Sequence, residues 1–239
     1  MIDLHMAVRL VIIALYAVLL AVYLNAEKKN DGKNGFRRAT AIKLTLSGVF
    51  CATGILCYFL SAYYSAGASV PAVPELFVLF GLFAGFAGDY FLQYIRLNEK
   101  KYIAGICCFA VTQILFIVSL FLRAPADGIG WLLTAVITIG VLLAVLAMMK
   151  KQNWQLGGEK IAITVYTVLL TFMTAKAVSS LTAGMTAGSL LFAAGAVLFL
   201  VSDMLLGIWN YNTGKRVHAN LNWISYYSGM LLIALSILF

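Results

Sequence analysis

Apolar runs of about 20 residues recur along the whole chain, the length a helix needs to cross the hydrocarbon core of a bilayer. A backbone that faces lipid must satisfy its own N–H and C=O groups, so each run reads as a helix. Composition agrees. Of 239 residues, 63% are hydrophobic and 11% are charged, and the mean hydropathy is +0.96. A soluble domain built this way would expose far too much apolar surface. The sequence therefore predicts an all-α polytopic membrane protein, a single transmembrane domain over residues 1–239. Eight spans are expected, at approximately 6–24, 44–63, 75–95, 102–122, 130–149, 161–180, 188–209 and 221–239. The breaks between them carry loop chemistry, from NAEKKNDGKNG after the first run to NYNTGKRVHAN before the last.

The formal charge of +8 invites a nucleic-acid reading, but the placement of the charges argues against it. The first loop holds Lys28, Lys29, Lys33, Arg37, Arg38 and Lys43, and the third holds Arg96, Lys100 and Lys101. The fifth holds Lys150, Lys151 and Lys160, and the seventh Lys215 and Arg216. Basic residues concentrated in odd-numbered loops are orientation signals that also meet anionic head groups. The expected protein is a multi-pass protein of the plasma (inner) membrane, with these loops in the cytoplasm and both termini outside. The first run lacks a basic leader beyond Arg9, and its heavy basic load follows it. It is therefore expected to be a retained anchor, not a cleaved signal.

Four cysteines (Cys51, Cys57, Cys107, Cys108) lie inside apolar spans, where a thiol behaves as a small hydrophobe. The two histidines, His5 and His218, fall on opposite sides of the expected membrane. No metal site and no cofactor are expected from these residues. Neither a G-x-S-x-G element nor a phosphate-cradling glycine loop occurs, which speaks against an ester lipase or a nucleotide enzyme.

Three ionisable residues stand out inside the spans, Asp89, Asp203 and Lys176, whereas Lys43 and Glu75 sit at helix ends, where long side chains reach the interface. Each of the three costs at least about 2.5–3.5 kcal/mol at mid-bilayer unless it faces protein or water. Asp89 shares a helix face with Gly85 and Gly81, a small-residue seam that admits a neighbouring helix. Asp203 has Phe199, Ala196 and Gly195 behind it and Gly207 ahead. Both aspartates should point into the bundle near the cytoplasmic end. The segments Gly88-Asp89-Tyr90-Phe91-Leu92 and Ser202-Asp203-Met204-Leu205-Leu206 are alike and four spans apart, which points to two parallel four-helix repeats. Lys176 is expected at the outer end, snorkelling or paired with Glu75. The plain reading of the aspartates is helix-to-helix hydrogen bonding. The plain reading of Tyr90, Tyr94, Trp209, Tyr211 and Trp223 is an interfacial belt.

Taken in order, several short marks resemble the YhhN family of eight-span membrane proteins, the lysoplasmalogenase family. They are Gly88-Asp89-x-x-Leu92, Gly105-x-x-x-Phe109, Tyr166, the run from Gly195 to Asp203, and Tyr226-Tyr227 followed by Leu232-Ile233-Ala234. Lys43 matches a basic position of the family. The chain departs from the family pattern at Gln113, where a His is usual, and at Met230, where a Gln is usual. The resemblance implies hydrolysis of the vinyl-ether bond of a lysoplasmalogen to a fatty aldehyde and a glycerophospho-base. Asp89 and Asp203 are the candidate catalytic pair, and Lys43, Gln113, Tyr166, Tyr226 and Tyr227 are candidates for substrate binding. The partners so implied are a vinyl-ether lysophospholipid and membrane lipids, with no nucleic acid.

Vinyl-ether chemistry suits two carboxyl groups. The electron-rich carbon takes a proton, water adds to the resulting oxocarbenium-like cation, and the hemiacetal collapses. One carboxyl donates the proton and the other stabilises the cation, as in paired-carboxylate glycosidases. Two other readings use the same residues: a small proton-coupled transporter and a non-catalytic scaffold.

Overall fold

The computed structural model describes residues 14, 16–25, 32–64, 73–95, 97–124 and 128–239, without the side chains of residues 32–39, 64 and 213. Its elements are α1 (Tyr16–Asn25), α2 (Gly32–Tyr64), α3 (Val73–Leu92), α4 (Glu99–Arg123) and α5 (Gly128–Lys151). They continue as α6 (Lys160–Ser179), α7 (Ala187–Ile208) and α8 (Arg216–Leu235). No strand occurs among the described residues. Among the described residues, seven helices, α2 to α8, are long and apolar enough to cross a membrane. The expected span 6–24 is described at residues 14 and 16–24, while the leader question, His5 and Arg96 fall outside the described residues.

The chain is thus an all-α, multi-pass membrane protein. The expected spans match the helices to within a few residues at most ends. The main differences are at α2, which begins at Gly32, and α8, which begins at Arg216. Hydropathy finds where lipid stops, whereas a helix runs on until its hydrogen bonds are interrupted. Caps mark some true starts. Asn98 accepts from Lys101 N at 3.0 Å ahead of α4, and Thr186 and Ser189 form a capping box at α7. At its far end α7 widens into a π-turn, Trp209–Thr213. Gly214 stops it in the left-handed region at φ 59°.

Six helices close a ring in the order α2, α3, α4, α6, α7, α8 and back to α2. The half α2–α3–α4 repeats as α6–α7–α8. Helix α5 leans on α6 from outside and turns Ile129, Leu132, Val136 and Ile139 away from the bundle. Helix α1 covers α8, with Tyr23 edge-on to Trp223 at 5.1 Å.

The two halves share one crossing geometry. A Cβ on Gly105 would stand 3.4 Å from Gly88 O and 3.2 Å from Leu92 N. A Cβ on Gly229 would stand 2.8 Å from Gly195 O and 3.2 Å from Phe199 N. So α3 meets α4, and α7 meets α8, backbone against backbone. The two crossings are alike, but the short Asp motif on which the expected four-helix repeat rested does not mark their register. Asp89 directly follows the crossing glycine Gly88, whereas Asp203 comes about two turns after Gly195.

At the end of the bundle away from the basic loops, Glu75 pairs with Arg123 at 3.3 Å. This corrects the expectation for Lys176. That residue is buried, and its ammonium donates to Ala124 O at 2.6 Å over the Phe121 ring. Arg123 ends α4 beside the start of its antiparallel neighbour α3, so it reaches Glu75 first.

Candidate active site

One cavity of about 300 Å³ lies at the end of the bundle that carries Lys100, Lys101, Lys150, Lys151 and Lys160. Asp89 and Asp203 both line it, with Lys43, Tyr166 and Tyr226. Five of the seven residues singled out in the sequence therefore face one space.

Asp89 is set by three helices. On α2, Lys43 and Ser47 stand one turn apart on one face. Lys43 Nζ lies 3.5 Å from Asp89 Oδ1, and Ser47 Oγ donates to Oδ2 at 2.7 Å. From α8, Tyr226 Oη donates to the same oxygen at 2.7 Å. Asp89 is 2% exposed. A carboxylate so buried needs a cation and donors of this kind.

Asp203 is treated differently. Tyr166 Oη on α6 donates to its Oδ2, and Ser202 Oγ donates to Oδ1 at 3.1 Å. Among the described residues, no Lys or Arg lies within ion-pair distance of it. Asn222 on α8 donates to Ser202 O at 2.8 Å and braces that turn of α7. Phe109 packs edge-on against Tyr226 and Phe199 and lies beside Tyr166, on the lining of the same cavity.

Two candidates do not line the cavity. Tyr227 Oη donates to Lys43 O at 3.3 Å, so it holds the backbone from which Lys43 reaches out. Gln113 is 0% exposed and lies next to Tyr166, with neither amide atom in hydrogen-bond geometry. Lys43 faces the cavity, but its ammonium is engaged by Asp89. The side chains of Arg37 and Arg38 lie outside the described residues.

Residues that sequence reasoning missed complete the site. Ser47 had a readable signal in its Lys43-x-x-x-Ser47 spacing. Trp154 and Glu159 sit in the α5–α6 connection, which the sequence marks only as a loop. Trp154 stacks on Tyr211 at 5.5 Å, and both line the mouth of the cavity.

The fold and site define a class: a polytopic helical membrane protein whose bundle encloses two acidic side chains in one cavity. The model of the YhhN family matches residues 46–237, and the chain belongs to that family. The matched segment contains both aspartates, Tyr166 and Tyr226, while Lys43 precedes it. No curated protein and no solved structure matches the chain.

Proposed function

We infer that this protein hydrolyses the vinyl-ether bond of a lysoplasmalogen, releasing a fatty aldehyde and a glycerophospho-base. The observation that carries this reading is the unequal treatment of two carboxyls on one cavity. Asp89 has a cation and two hydroxyl donors, so it suits the standing negative charge. Asp203 has hydroxyl donors and, among the described residues, no cation, so it suits the proton. Family membership supports the reading.

In the proposed reaction, Asp203 gives its proton to the vinyl carbon remote from the ether oxygen, and the π pair forms the new C–H bond. The cation that forms is stabilised by Asp89, and water adds to it. The hemiacetal then passes its hydroxyl proton to the leaving oxygen as the C–O bond breaks. Tyr166 and Tyr226 hold the two carboxyls in place, a positioning role in which small displacements are costly. The alkyl chain lies along the apolar wall of Ile106, Phe109, Ile163 and Leu170. The phosphate stays at the basic end, which faces the cytoplasm under the positive-inside rule.

Purified protein should release free aldehyde from a lysoplasmalogen and nothing from a matched ester lysolipid. Fatty acid from the ester, with no aldehyde from the vinyl ether, would sink the proposal. The transporter reading needs a path to the far end of the bundle. There Arg123, Glu75 and Ser236 close on one another, and nothing favours that reading over hydrolysis.

A further inference from the structure

A second cavity, of about 480 Å³, adjoins the first at the basic end. The two share Tyr102 and Tyr211, and the second adds Glu99 and Glu159. Glu99, Gly157 and Gly158 on its wall are exposed, so this space meets solvent. Glu159 is 9% exposed.

The shared wall carries a directed chain of hydroxyls. Tyr211 Oη donates to Glu159 Oε1 at 2.8 Å. The oxygens of Tyr102 and Tyr211 are 3.2 Å apart. A phenol has one hydrogen, and that of Tyr211 is committed to the carboxylate. Tyr102 must therefore donate to Tyr211, which leaves Tyr102 Oη to accept from the inner cavity. Stacking on Trp154 fixes the Tyr211 ring.

We propose that Tyr102, Tyr211 and Glu159 form a proton relay between the solvent-facing cavity and Asp203. The proposal rests on the hydrolase reading and adds three working residues to it. When water adds to the cation, it releases one proton. That proton joins Tyr102 Oη as Tyr102 passes its own to Tyr211, and Tyr211 passes its own to Glu159. Glu159 exchanges with solvent. The reverse passage restores both hydroxyl orientations and returns a proton to Asp203 through cavity water, for which the inner space is ample. Each cycle consumes one water and no net proton. Among the described residues, the other acidic groups facing this path are Glu99 in the outer cavity and Asp89 in the inner one.

The test uses Glu159→Gln and Tyr211→Phe in the full-length protein, with a lysoplasmalogen as substrate. Tyr211→Phe keeps the ring and its stack and removes only the hydroxyl. The expected result is a kcat about tenfold lower with KM unchanged, restored by imidazole as a diffusible proton carrier. An unchanged kcat, a change in KM alone, or a loss that imidazole leaves in place overturns the relay. Absence of aldehyde from the unmodified protein overturns the hydrolase reading, and the relay with it. An active unmodified protein with fully active variants overturns the relay alone.

Discussion

Lys43 and Ser47 converge on Asp89 from one face of α2, and neither is replaceable by a purely apolar group at no cost. Lys43→Met would leave a buried carboxylate without its cation, which costs about 3 kcal/mol or more. Removing the charge at both positions, with Lys43→Met and Asp89→Asn together, should recover much of that loss, because no uncompensated ion remains. Thermal unfolding in detergent checks this. Additive losses in the double variant would show that the pair is not coupled. At this scale the sequence disclosed the acidic residues, because an aspartate in an apolar run is conspicuous. It named Lys43, Tyr166 and Tyr226 as site candidates but concealed which aspartate each would meet, because they come from other helices. Lys176 shows the same limit. Its depth was legible, but its acceptor, Ala124 O, is a backbone atom of a distant residue.

At the scale of elements, the helices themselves were legible because lipid permits little else. Two features were not. The π-turn at the end of α7 and the α5–α6 connection meet on the lining of the cavity through the stacked Trp154 and Tyr211. Span-end aromatics have an interfacial explanation by default, and no periodicity marks a loop that folds back. The glycine crossings were half-visible: Gly195 stood on the Asp203 face, but its partner Gly229 was unidentifiable without the α7–α8 packing. Gly229→Leu should force those helices apart, since even a Cβ there meets Gly195 O at 2.8 Å. Overpacking of this kind costs about 1–3 kcal/mol. The expected outcome is a lower Tm in detergent and a loss of any activity that depends on Asp203. A Tm equal to that of the unmodified protein would show that the crossing has slack.

For the whole molecule, the ring of six helices explains why the site lies at one end. Helices α2 and α3 bring Asp89 and its Lys43 partner, α6 and α7 bring Asp203 and Tyr166, and α8 braces both through Tyr226 and Asn222. The peripheral helix α5 contributes little burial and faces lipid, as an outer helix of a membrane bundle should. The two aspartates stand at different registers of the two halves, and their surroundings differ: Lys43 faces Asp89, while Tyr166 and Ser202 donate to Asp203. The central claim is that carbon is protonated by one of these groups while the other holds the cation. It is tested most directly by running the reaction in D2O with the unmodified protein, Asp89→Asn and Asp203→Asn. The account predicts that each aldehyde released by the unmodified protein carries one deuterium on the carbon next to the carbonyl, and that each variant falls by at least about a hundredfold. Aldehyde without that deuterium, or full turnover by Asp203→Asn, would contradict it.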